Sequence, residues 1–179
     1  MDALGSFFFI VLFLARLDQG LRGNWTAWFL TAQSGLVAFR ILFRKRSKKV
    51  SPFSIRLLAW FSALAPLSVI TADSSLLALP GLALSIWSLI ALGDSFSISP
   101  SDRGLVRRGP YRIVRHPMYA GELLSLIGTC AASPLLWNWS VLAVFVLALY
   151  LRIVEEESVI EGYFRYTRAV AWRLVPYVW

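Results

Sequence analysis

Two stretches of the chain gather residues able to do chemistry. The first runs from Asp94 to Glu122 and reads DSFSISPSDRGLVRRGPYRIVRHPMYAGE; the second runs from Glu155 to Trp179 and reads EEESVIEGYFRYTRAVAWRLVPYVW. In the first, the sole histidine, His116, stands between Arg115 and Pro117. A proline holds the residue before it in an extended conformation and suits the first turn of a helix, so a helix is expected to start at Pro117 with His116 at its cap. The leading amides of such a helix have no intrahelical acceptor, and its dipole attracts an anion. Arg108, Arg112 and Arg115 strengthen that attraction, so the loop suits a carboxylate or a phosphate. A lone histidine can instead bond a backbone carbonyl, but its setting here favours contact with a ligand. Tyr111 and Tyr119 flank the loop as membrane-interface anchors or as an aromatic platform for a ligand that contains a base.

In the second stretch, Glu155, Glu156 and Glu157 point in different directions on a helix. The i,i+4 spacing of Arg152 with Glu156, and of Glu161 with Arg165, predicts pairing on the helix surface. At least one carboxylate is then left for the loop arginines or for a cationic ligand. Tyr163, Tyr166 and Val170 share a helical face, which predicts an amphipathic helix lying against the membrane or the bundle.

Several chemistries are excluded at this stage. One cysteine, Cys130, and one histidine cannot build a disulfide framework or a His/Cys metal centre. No glycine-rich G-x-G-x-x-G turn is present, so a soluble dinucleotide-binding site is absent. The basic run from Arg44 to Lys49 reads as a topology signal that can also touch anionic lipid, not as a nucleic-acid site.

The elements that must position these residues are membrane helices. Hydrophobic residues make up 58% of the 179 residues and charged ones 16%, with a net charge of +8; soluble domains carry about 25% charged residues. The mean hydropathy is +0.64. The reading is all-α: a single polytopic membrane domain over residues 1–179, with five to six transmembrane segments, a helical hairpin and a cytosolic C-terminal amphipathic helix. Apolar stretches run from Ala3 to Ala15, Trp25 to Phe43, Ile55 to Ala72 and Leu76 to Gly93, then Met118 to Ala132 and Leu135 to Val154. Residues 1–93 supply four membrane helices, and residues 94–179 supply the loop, the hairpin and the tail. Pro66 and Pro80 fall inside the third and fourth segments, where kinks are expected. Lys and Arg crowd the connections after segments two and four and the tail, whereas the Asp73–Ser75 turn and the Ser133–Trp139 tip have none. Both termini and the polar stretches are therefore expected on the cytoplasmic side.

The ordered residues Leu105-Val106, Gly109-Pro110-Tyr111-Arg112 and Arg115-His116-Pro117-Met118-Tyr119-Ala120-Gly121, with the glutamates at 155–157 after a hairpin, resemble the isoprenylcysteine carboxyl methyltransferase and phospholipid methyltransferase superfamily. The resemblance covers the C-terminal part of the chain, and the first four segments share only its hydropathy. It implies a membrane methyltransferase that moves a methyl group from S-adenosylmethionine to a lipophilic acceptor taken from the bilayer. Tyr111, Arg115, His116, Pro117, Met118, Tyr119, Gly121, Glu156, Tyr163 and Tyr166 would contact the cofactor, and Glu156, Glu157 and Arg173 would serve catalysis. The family's tail has a Phe-Gly pair before its first Tyr, and around Gly162 this chain is shorter. Two other functions stay open. Membrane sterol reductases share an R-H-P-x-Y-x-G-E motif, here ending at Glu122, although this chain has Met118 in place of their Asn; a non-catalytic membrane scaffold is the other.

Overall fold

In the computed structural model, residues 2–70 and 75–179 are described, and the expected Asp73–Ser75 turn lies largely outside them. The chain is helical throughout: α1 Asp2–Leu21, α2 Trp25–Leu42, α3 Phe53–Leu64, α4 Leu79–Leu92, α5 Pro117–Ala132, α6 Leu136–Val159 and α7 Tyr163–Ala169. A single two-residue ladder, β1 Lys49–Val50 against β2 Ser101–Asp102, is antiparallel and pairs Lys49 with Asp102.

Each expected apolar segment falls on a helix, with altered bounds. The first is a full 20-residue helix that takes Arg16 inside it. Two helical stretches, Leu76–Ser95 and Leu136–Val159, are long and apolar enough to cross a membrane, and Phe53–Ser68 is a shorter apolar one. Large apolar side chains stand exposed along the helices, among them Phe7, Leu14, Leu57, Trp87, Leu136 and Leu147. Such a surface suits a lipid or protein environment and not water. Pro66 ends α3 in a 3₁₀ turn over Ala65–Ser68. Pro80, expected to interrupt the fourth segment, sits instead in the first turn of α4, where its missing amide is not needed.

Close packing of α4 on α5 fixes the floor of the site. A Cβ added at Gly81 would lie 2.2 Å from the Ser125 amide nitrogen, and one at Gly121 would lie 2.6 Å from that of Ser85. The small-residue spacings on these two helices therefore serve contacts within the chain, and Gly121 is a packing residue against α4. At the other end of the hairpin, fully buried Asn138 donates to Ile70 O at 2.9 Å and Ser133 O at 2.8 Å and accepts from the Ile70 amide.

The basic connection after α2 folds onto the polar loop. Lys45 reaches Asp94 at 3.2 Å, and Lys48 reaches Glu161 at 3.5 Å. Glu161 is thus paired with Lys48 and not with Arg165 as its helical spacing suggested, because α6 ends at Val159 and the chain turns at Gly162, whose φ is +72°.

Gly81→Val drives a branched side chain into the backbone of α5. The expected result is a loss of about 1–3 kcal/mol, read as a lower midpoint of thermal unfolding in detergent. An unchanged midpoint would contradict this packing.

Candidate active site

The site is assembled around one carboxylate. Glu157, near the end of α6, receives Arg115 Nη1 on Oε1 at 2.9 Å, while Arg173 donates Nε to Oε1 at 3.0 Å and Nη2 to Oε2 at 2.8 Å. His116 Nε2 stands 3.3 Å from the same Oε1. Three cation-type side chains from the loop and the tail thus converge on one helix terminus. The backbone repeats the connection: the amides of Arg115 and His116 donate to the carbonyls of Trp172 and Arg173 at 2.8 and 2.9 Å.

His116 is the N-cap residue of α5, with φ −126° and ψ 60°, short of the extended conformation expected before a proline, and its side chain makes no cap hydrogen bond. Its ring lies between those of Tyr119 and Tyr163, at centroid distances of 5.6 and 6.1 Å, and the Tyr163 hydroxyl is 2.9 Å from Nε2. The Tyr166 hydroxyl donates to Tyr111 O at 2.6 Å, and Arg107 lies over the Tyr166 ring. Tyr163, Tyr166 and Val170 therefore bury the shared face of α7 against the loop residues, with Leu105 and Ile160 packed beside them. Burial raises the Tyr163 phenol and pushes that of Tyr166 up to about 12. The hydrogen bonds to Glu157 raise Arg173 above its ordinary value.

Beside this clamp lies an open cleft with a volume of about 50 Å³. Tyr111, Arg115, His116, Met118, Tyr119 and Glu156 line one side, and Tyr163 and Tyr166 close it. The cleft is also lined by the strip from Ser95 to Ser99, whose side chains alternate between two spaces. Ser95, Ser97 and Ser99 face the cleft, whereas Phe96 and Ile98 are buried and face a second, larger cavity inside the bundle. Met118 lines both spaces.

Arg152 stands at the partition, 2% exposed. It donates to Ser62 Oγ and Ile98 O at 2.9 Å and lies 4.7 Å from the centre of the Tyr119 ring. The Tyr119 hydroxyl accepts from Arg152 at 3.4 Å and donates to Glu156 Oε2 at 2.8 Å. The expected direct pairing of Arg152 with Glu156 is thus replaced by a relay through a phenol on another helix.

The expected cofactor residues Tyr111, Arg115, His116, Met118, Tyr119, Glu156, Tyr163 and Tyr166 all border the cleft. Pro117, Gly121, Glu157 and Arg173 stand behind it, in the helix start, the α4 contact and the clamp. Arg108 and Arg112 do not converge on it: Arg108 donates to Ala91 O and Arg112 to Arg107 O. The serines and Arg103, which also line the cleft, were not anticipated. Their signal was present in the alternation S-F-S-I-S from Ser95 to Ser99.

Comparison with known proteins agrees with this arrangement. Residues 70–166, more than half of the chain, match the phospholipid methyltransferase family. The chain belongs to that family. It is accordingly a membrane methyltransferase, and the match takes in the fourth apolar segment but stops before Arg173. None of the curated proteins compared with this methyltransferase matches it significantly.

Two outcomes follow from the clamp. Glu157→Gln leaves the buried Arg115 without its counter-ion, a change that typically costs about 3–5 kcal/mol. Hydrogen exchange of residues 170–179 should then accelerate, and unchanged protection would show that the tail is held by other means. The raised phenols work in the same direction with pH. Neutral Tyr166 favours the docked tail, so docking is fully present below the ordinary value of 10.0 and falls as pH climbs through about 12. A tyrosinate difference spectrum of wild type against Tyr166→Phe should show late ionisation, and a midpoint near 10 would contradict burial of this ring.

Proposed function

We propose that the cleft takes S-adenosylmethionine, that the bundle cavity takes a lipophilic acceptor, and that the methyl group crosses between them beside Met118. The observation that carries this reading is the pair of adjoining spaces that share Met118 and are divided by the serine strip. The residues present fit the cofactor. Ser101 Oγ and Arg115 Nε, both of residues at the cleft, are buried without a partner. The amides of Met118 and Tyr119, at the start of α5, lack intrahelical acceptors. These donors suit a carboxylate. Glu156 suits a positive charge, and the rings of Tyr111, Tyr163 and Tyr166 suit an adenine and a sulfonium.

When bound, S-adenosylmethionine would supply an electrophilic methyl carbon for in-line attack by the acceptor, with the sulfur leaving as a neutral thioether. The chain's own contribution is positioning and exclusion of water. The α7 tyrosines cover the cleft, and the Glu157 clamp holds that cover in place. A carboxylate or thiolate acceptor needs no base. An ammonium head group must first lose a proton, and Glu156 Oε2, already hydrogen-bonded by Tyr119, is the acceptor for it. Glu157 is saturated by Arg115 and Arg173 and acts as a positioning residue. The excess of Lys and Arg at this end of the bundle supports a cytosolic site with both termini on the same side, and five to six membrane segments.

Calorimetric titration of the detergent-purified protein tests the cofactor. S-Adenosylmethionine and S-adenosylhomocysteine should bind saturably, His116→Ala should weaken both by about ten-fold or more, and NADPH should give no heat. Binding of NADPH alone would install the reductase reading, and no binding at all would leave a scaffold. Glu156→Gln should retain S-adenosylhomocysteine binding and lower methylation of an amine acceptor by about 10²-fold or more. Unchanged turnover would remove the base.

A further inference from the structure

The bundle cavity is bounded largely by parts of the chain outside the family match, which begins at residue 70. Its walls along α1 and α2 mix apolar side chains, among them Phe9, Leu12, Leu30 and Val37, with polar ones, and an arginine stands among them. Arg16 lies near the C-terminal end of α1, within easy reach of the α1–α2 turn and water. Its guanidinium instead turns back along the helix: Nη1 donates to Leu30 O at 3.3 Å and, in a short contact, to Ser34 Oγ, midway along α2. Among the described residues no carboxylate pairs with it. The Nε–Nη2 edge, the side of a guanidinium that takes an oxyanion in two parallel bonds, has no protein acceptor among them either. Gln19 and Gln33 line the same end.

An arginine held inside a membrane bundle is costly, and without a protein counter-ion it marks a ligand. We propose that Arg16, with Ser34, grips an oxyanion, carboxylate or phosphate, at the far end of the methyl acceptor, so that the acceptor is a compact bipolar amphiphile. This rests on the reading of the cavity as the acceptor site. The length is fixed by the helix. The chain just after α2 meets the cleft end of the bundle, where the Lys45 amide donates to Asp94 O at 2.8 Å. Ser34 lies about 12 Å below that end at 1.5 Å per residue. The acceptor's nucleophile beside Met118 and its oxyanion at Arg16 are thus separated by a spacer of that order. Apolar side chains along the way, Val37, Leu82, Leu89 and Phe145, suit a hydrocarbon or prenyl spacer.

Calorimetry on the full chain in nanodiscs, corrected with empty discs, compares decanoate, decyl phosphate and decanol. Wild type should bind at least one of the two anions about ten-fold or more tightly than the alcohol; which anion wins separates a carboxylate from a phosphate acceptor. Arg16→Gln should abolish that preference while S-adenosylhomocysteine affinity stays unchanged, and Arg16→Lys should retain part of it. Equal binding of acid and alcohol in wild type, or a preference that survives Arg16→Gln, would overturn the proposal. The wild-type comparison needs no variant to fold. Anion preference without adenosyl binding would leave the Arg16 site standing and sink the methyltransferase cofactor reading; adenosyl binding without anion preference would do the reverse.

Discussion

The ion cluster on Glu157 is the constraint from which the rest of the site follows. A carboxylate at the end of a membrane helix receives one arginine from the loop before α5 and another from the tail, both within 3.0 Å. Each ion is expensive to bury alone, and together they satisfy one another. The result is that three segments distant in sequence have one joint arrangement. With Arg115 fixed, His116 is placed at the cap of α5; with Arg173 fixed, the tail lies along the loop and α7 is brought over the cleft. The aromatic cover is therefore an outcome of electrostatics at its rear, and its buried phenols add the apolar part of the same closure.

A second division, between water-facing and lipid-facing chemistry, is made by a strip of five residues. Its side chains alternate between the two spaces. Ser95, Ser97 and Ser99 consequently give the cleft a polar wall, and Phe96 and Ile98 give the bundle an apolar one, with no thicker structure between them. Arg152 anchors this strip through Ile98 O and spans from Ser62 on α3 to Tyr119 on α5. A polar methyl donor and a lipophilic acceptor can meet across such a partition only where one side chain borders both spaces, and that side chain is Met118. The floor beneath it is set by the close approach of Gly81 to Ser125, which leaves no room for a side chain between α4 and α5.

Much of this was legible in the sequence, because the strongest signals were local. Arg115-His116-Pro117 announced a cap and a helix start, and both are found. The apolar runs announced helices, although α1 extends past Arg16, since a single charge inside a hydrophobic helix does not break it when a cavity receives it. What remained hidden was the choice of partner. Helical spacing pairs Arg152 with Glu156 and Glu161 with Arg165, but a buried guanidinium is better satisfied by three groups on other elements, and the turn at Gly162 removes Arg165 from reach. The three loop arginines looked alike from their charge; only Arg115 faces the carboxylate, while Arg108 and Arg112 go to backbone carbonyls. The serine strip was readable by its period of two, but in a protein otherwise helical that period is easily passed over.

The central claim is that the cleft under α7 is the cofactor site of this methyltransferase. Hydrogen exchange of the protein in nanodiscs, with and without S-adenosylhomocysteine, tests it most directly because it reports position as well as binding. The account predicts added protection confined to residues 95–106, 111–119 and 160–166, with α1 and α2 unchanged. Protection elsewhere in the chain, or none at saturating ligand, would contradict it.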